Sequence, residues 1–506
     1  MRSARELNLL LENTGTIVIP PGEYRIEAEV PPIRLRSNQR VLAHGARFLF
    51  PEVLPDAARA VAFEGVDVRN VSWEGGFFGG HCFDPAAARN TWEPNVNTRG
   101  IVFRTETDGC SDITVRGVSG EAVAGAVISV YGRHAAGSGR TVERYAESVT
   151  VTDCTLSNCG KFMWDYGLLW QILGWPEEYS SDELETAERY FPAELLVDGV
   201  SIDAAANRIR VDEPGDWPDV CFFGPLSGRL VRGKRYFVVE RGEDWIRVGE
   251  TPDGPPIRLD AATEAGGPLR LVHHLHRAYM ELYAPVGSGP GKGAVDLTAC
   301  RNTMMSGNRL SARGDTMHIH SCRTNVFSQN QITASRMGAF FLSEWCSDST
   351  IVANTVHGTN GSRVMSVEKS NRDVTIIGNT FRGGGRGSWI NQPENIIIQG
   401  NVFINNTTKG EADPHRGRRT FETGDYERRS ELYFTTHEPD GRYGPAIVHD
   451  NIFQTGPEAV AAVELHAGGH DISIKGNHFG GSTSRIIVDD SCERVEISHN
   501  IDLIKK

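Results

Sequence analysis

The sequence predicts an all-β chain wound as a coil of stacked parallel strands, a β-solenoid. Three observations carry this. Asparagines recur at 308, 330, 354, 379 and 401, then at 451, 477 and 500, with steps of 22–26 residues apart from one gap of 50. Around them lie short alternating runs such as Val374-Thr-Ile-Ile-Gly-Asn-Thr-Phe381 and Ile472-Ser-Ile-Lys-Gly-Asn-His-Phe479, and alternation over so few residues means strands. Eight residues before successive repeat asparagines stand Cys300, Cys322, Cys346 and Asn371. A coil places such residues directly above one another, about 4.8 Å apart, so three thiols and an amide form an interior ladder. The leucine-rich frame Leu-x-x-Leu-x-Leu, which shares this period, is absent, and a propeller blade needs roughly 40 residues.

Weaker copies of the pattern open the chain. The run 15–24 is followed by strands at 33–35 and 41–43, then by alternating segments at 66–73, 113–119 and 149–156. Residues 161–191 break the repeat with Trp164, Trp170 and Trp175, and Ser180-Ser-Asp-Glu183 reads as a capping box opening a helix. Residues 192–275 read as a small inserted barrel-like β-domain, with strands at 208–211, 234–239 and 245–249 and a Pro/Gly-rich turn after Thr251. The expected organisation is thus a coil over 1–160 and 276–506, interrupted by these two segments and by a charged loop at 405–443. A loop that long inside a compact fold is expected to wall a groove or meet a partner, with a merely solvated loop as the alternative.

Composition removes several function classes. The chain of 506 residues carries 52 Lys+Arg against 65 Asp+Glu, a net charge of −13, so it has no basic stripe for nucleic acid. No apolar run reaches the ~18 residues of a membrane span. The opening Met1-Arg2-Ser3-Ala4-Arg5 is too charged for a signal peptide. Nine cysteines, an odd number in a long chain, read as buried thiols and point to a reducing, cytoplasmic setting, or else to secretion with the signal already removed. No P-loop, nucleophile elbow or dinucleotide fingerprint occurs in context, and no cofactor is expected.

The entry Val18-Ile-Pro-Pro-Gly-Glu-Tyr24, the turn His44-Gly45-Ala46 and the Gly-Asn-x-Phe rungs resemble the pectin-lyase-like superfamily of right-handed parallel β-helices. The resemblance implies that fold and a carbohydrate partner. The superfamily includes lyases, glycosidases, epimerases and tailspikes, so fold does not choose the reaction. The pectate-lyase and polygalacturonase catalytic patterns are missing, and Asp413-Pro-His415 echoes an epimerase motif only in part.

Aligning the rungs turns Val295/Leu297, Met317/Ile319 and Met365/Val367 inward. The residues between them form two outward columns: Asp296, His318, Phe341, Ser366 and Trp389, then Thr298, His320, Ser343, Glu368 and Asn391. Aromatics suit sugar faces, and amides, imidazoles and carboxylates suit hydroxyls. Asp296, His318, His320, Phe341, Trp389 and Asn391 are therefore expected to bind an oligo- or polysaccharide. Hydrolysis needs two carboxylates ~5–9.5 Å apart, which neighbouring rungs provide. Glu344 and Glu368 are the preferred pair, with Asp315 as third candidate. His318 and His320 have the i, i+2 spacing of metal ligands but no third ligand, so no metal is expected. The expected function is a glycoside hydrolase or related transglycosylase on a neutral glycan. A polysaccharide lyase acting on a uronate polymer is the alternative, and a glycan-binding tailspike or adhesin module the non-enzymatic one. The broad flat sides are compatible with a homo-oligomer.

Overall fold

The computed structural model describes the chain except residues 1, 28–29, 52–58, 82–96, 124, 137–140, 161–195, 224–225, 228, 231–235, 251–252, 262–268, 274–292, 313–315, 335–338, 340, 359–362, 369, 409–429, 437–440 and 505–506. Contacts divide it into two compact units: residues 1–91, 96–162 and 290–506, and residues 92–95 and 163–289.

The first unit is the coil. Its described strands stack in register into three long sheets of 12, 13 and 14 strands, parallel throughout. One turn of the coil shows the plan: Val295–Thr298 lies in the first sheet, Cys300–Ser306 in the second and Arg309–Ala312 in the third. The turn between the second and third sheets holds the repeat asparagine. Each buried Asn accepts two hydrogen bonds from the Asn one rung earlier, so that Asn330 N and Nδ2 both donate to Asn354 Oδ1 at 2.9 Å. The pattern runs unbroken from Asn308 to Asn500. The residue before each ladder Asn has positive φ, from 55° at Ala353 to 67° at Gly307. Glycine adopts that conformation without a Cβ clash, which is why Gly-Asn recurs.

Inside, the expected thiol ladder is present. Cys300, Cys322 and Cys346 are fully buried, and Cys346 N donates to Asn371 Oδ1 at 2.8 Å. Phe381, Phe403, Phe453 and Phe479 stack at 4.9–5.4 Å between ring centroids. Parallel strands force like residues over like, so one favourable contact is repeated at every rung. At the N-terminal end a 3-10 turn, Ala4–Leu7, and a short helix, Asn8–Leu11, bury Ala4, Leu7 and Leu11 on the core.

The segment read as a charged loop at 405–443 needs a correction. Ser430–Thr435 is a strand of the first sheet, between Ser388–Asn391 and Ala461–Leu465. Asn401 N donates to Asn451 Oδ1 at 2.9 Å, so the 50-residue gap is one rung carrying an insertion. The aromatic and helical stretch at 161–191 lies outside the described residues.

The second unit is a closed antiparallel barrel of the strands Leu196–Asp203, Arg208–Arg210, Trp245–Gly249, Tyr236–Arg241, Asp219–Phe223 and Leu269–His273, in that order. Ile209, Val220, Phe222, Ile246 and Leu271 fill it. His273 stacks on Trp217 within it, centroids 4.5 Å apart.

Candidate active site on the first sheet

The outward columns have the expected register. Asp296 pairs with His318 and Thr298 with His320; Phe341 pairs with Ser366, and Ser366 with Trp389. Trp389 continues to Tyr433, and Tyr433 to Glu464. The column does not form an open sugar-binding face. Asp296 and Asn391 are fully buried, Trp389 is 1% exposed and His318 6%. Alternation correctly placed these side chains outside the core, but outside the core is not outside the protein.

Burial makes the polar contacts between these residues matter. Asp296 Oδ1 lies 2.9 Å from His318 Nδ1, and Asp296 Oδ2 accepts the Tyr131 hydroxyl at 3.0 Å. A carboxylate oxygen accepts, so His318 presents Nδ1–H to Asp296, and its other ring nitrogen, Nε2, points away from that carboxylate. The Tyr131 phenol is pushed well above its ordinary pKa, first by burial and then by the Asp296 charge, with Arg99 opposing. It therefore stays an O–H donor that fixes Asp296. His320 stacks beside His318 at 6.0 Å and 10°, and its Nδ1 lies 3.3 Å from Ser343 Oγ. His134 is 5.6 Å from His320 between centroids, and burial lowers its pKa. Among the described residues no cluster has the geometry of a metal site.

The preferred carboxylates stand at the margin of this array. Glu344 is half-buried in a turn, not on a strand face, and its carbonyl accepts Ser321 N at 3.0 Å. Glu368 is half-buried just past Met365–Val367, and its N–H donates to Leu342 O at 2.8 Å. Asp315 and the Phe341 side chain lie outside the described residues. Among the described residues Asn391 Nδ2 and Oδ1 have no hydrogen-bond partner. Arg363 covers the Trp389 ring at 4.0 Å.

Two groups escaped the sequence reading. Tyr131 lies on Ile128–Tyr131, whose rung carries Cys154 where later rungs carry the ladder Asn; Cys154 N donates to Asn308 Oδ1 at 2.9 Å. At the far end Glu464 lies 3.3 Å from His466 Nε2 and accepts Ser430 Oγ at 2.5 Å. Its signal was present, since Glu464 stands 13 residues before Asn477, as Phe341 and Ser366 stand 13 before Asn354 and Asn379.

A family model described as periplasmic copper-binding protein (NosD) matches residues 286–429, less than half of the chain. That description gives the cytoplasmic expectation no support. Among the described residues no helix is long and apolar enough to cross a membrane. No curated protein matches. Similar solved structures include the A-module of the Azotobacter vinelandii mannuronan C-5 epimerase AlgE6, at 11% identity and TM-score 0.48, covering 100% of this chain and 96% of that one. PfbA, a surface adhesin of Streptococcus pneumoniae, is similar at 10% identity and TM-score 0.48 over 93% and 83%. The Yersinia enterocolitica family 28 exopolygalacturonase is similar at 9% and 0.46 over 98% and 75%. With three parallel sheets stacked rung on rung around one core, the chain has a parallel β-helix fold.

Proposed function

We propose that this chain is a carbohydrate-active enzyme that takes a proton from a uronate-type glycan, with His318 as the base. The observation that carries this is the Tyr131–Asp296–His318 chain of hydrogen bonds. Asp296 already accepts from two neighbours, which suits a positioning carboxylate and not an acid or nucleophile of hydrolysis. A buried imidazole held by a carboxylate at one nitrogen is arranged to accept a proton at the other.

In the elimination, His318 Nε2 takes the hydrogen on the carbon next to the sugar carboxylate. That electron pair forms the carbon–carbon double bond, and the glycosidic oxygen leaves with its bonding pair. In this reading His320 protonates that oxygen. The proton on carbon is acidified only when a carboxylate is attached to it, so this reading replaces the neutral substrate expected from the sequence. Glycoside hydrolysis by Glu344 and Glu368 is the second reading, favoured by their half-buried positions on successive rungs.

A panel of uronate and neutral polysaccharides separates the two. Elimination gives unsaturated ends that absorb ultraviolet light in step with new reducing ends. Reducing ends without absorbance, from a neutral glycan, would overturn the proposal.

A further inference from the structure

A second feature lies beside the first sheet. A groove of about 790 Å³ follows the turns between the first and second sheets, from Tyr145 to His470. Apart from the side chains at its two ends, the lining runs over five consecutive rungs, from Ser321 to Pro445, which is four inter-strand steps or about 19 Å. An elongated groove of that length can hold several sugars of a chain.

Its charge runs against that of the protein. In a molecule of net charge −13, Arg323 and Arg372 line the groove; Arg442 and His470 also line it but are paired with Glu493 at 2.9 Å and Asp471 at 3.0 Å, and Glu394, the cross-strand neighbour of Arg372, is its one lining carboxylate among the described residues. Arg301 on the neighbouring rung is neutralised by Glu147 at 2.5 Å. Arg323 and Arg372 are exposed and, among the described residues, have no carboxylate within ion-pairing distance. They occupy the same position two rungs apart, about 10 Å. Two cations about 10 Å apart on one side of the groove suit acid groups carried along one chain.

Trp345 adds a sugar-stacking surface. Its turn position is held by Ala299, Ser321, Ser370 and Gln392 on other rungs, all with positive φ, and Trp345 itself has φ 61°. A left-handed conformation costs a bulky side chain about 1–2 kcal/mol, and backbone strain of this kind collects at functional sites. Trp345 lines the groove and meets the His320 ring edge-on at 5.5 Å.

We infer that this groove binds a carboxylate-bearing polysaccharide, with Arg323 and Arg372 pairing its acid groups and Trp345 stacking on a sugar. The inference deepens the catalytic reading by naming where the polymer lies, yet binding is measured without turnover. The test is affinity electrophoresis of the full chain in gels containing polygalacturonate, alginate, dextran sulfate or a neutral glucan, at low and high salt. The expected result is retardation by the carboxylated polymers alone, weakened by salt. Arg323→Ala/Arg372→Ala should bind about fivefold or more weakly, and Trp345→Ser should also lose affinity. The arginine double variant and Trp345→Ser should keep the wild-type melting temperature within a few degrees, because the residues altered are exposed or half-buried. Retardation by dextran sulfate or glucan equal to that by the carboxylated chains, or an arginine double variant within twofold of wild type, would overturn it. Binding that survives while no polymer is turned over would leave the groove standing and remove the catalytic reading.

Discussion

Replacing Asn354 by alanine tests the internal ladder at a buried position. Asn354 is 1% exposed. Its Oδ1 accepts Asn330 N and Asn330 Nδ2, both at 2.9 Å, and its Nδ2 donates to Phe327 O at 3.0 Å and Asn379 Oδ1 at 2.9 Å. After truncation Asn379 Oδ1 still accepts Asn354 N at 2.8 Å, and Asn330 Nδ2 still reaches Met305 O at 3.1 Å. Two donor hydrogens on Asn330, one on the backbone and one on the amide, lose their acceptor in a place water does not reach. Each costs about 1–3 kcal/mol, so Asn354→Ala should destabilise by about 4 kcal/mol. Asn500 makes the same contacts to Asn477 on the last rung, where they are part-buried. Water can replace the lost side chain there, so Asn500→Ala should cost about 1 kcal/mol on the same scale. Urea unfolding of the two variants beside wild type measures the difference. A loss for Asn354→Ala no greater than that for Asn500→Ala would show that the ladder follows from the coil without holding it together.

Three further outcomes follow from the same contacts. Gly378 has φ 65° and open space where a Cβ would go, so Gly378→Ala should cost about 1–2 kcal/mol through the backbone alone, while Ala353→Gly should be neutral or stabilising by urea unfolding. Burial raises the Glu431 carboxyl to about 7 despite its hydrogen bonds from Asn406 N. The folded state then binds the proton more tightly than the unfolded chain, so stability falls as pH rises from about 4.5 to about 7, by about 3 kcal/mol for the full shift. Glu431→Gln should flatten that slope in unfolding measured across this window. Burial pushes the Cys154 and Cys159 thiols to about 12, and Cys300 and Cys346 are also raised by burial. These four should resist alkylation in the native state and react after denaturation, as read by peptide mass spectrometry.

The coil was legible because a period multiplies a weak signal. One Gly-Asn dipeptide says little, but eight asparagines at one spacing fix register, and register fixed both outward columns. What failed did so where the period lapses. Ser430–Thr435 sits behind a charged insertion, so a strand passed for loop. The rung of Tyr131 has a cysteine at the ladder position, so a search keyed to asparagine skipped the residue that anchors Asp296. Strand alternation separates core from non-core sides and cannot report burial of the non-core side, which depends on segments outside the repeat. For that reason Asp296 and Asn391 looked like groove residues and are fully buried. Glu344 fell in a turn because the strand before it, Phe341–Leu342, is only two residues long.

The most direct test of the proposed chemistry compares kcat of three variants on whichever uronate polymer wild type processes. His318→Ala should lower kcat by about 10²-fold or more, the usual worth of a general base. Glu344→Gln and Glu368→Gln should each leave kcat within a few-fold of wild type. Full turnover by His318→Ala together with loss of turnover in either glutamate variant would contradict the account and return the chemistry to the carboxylate pair.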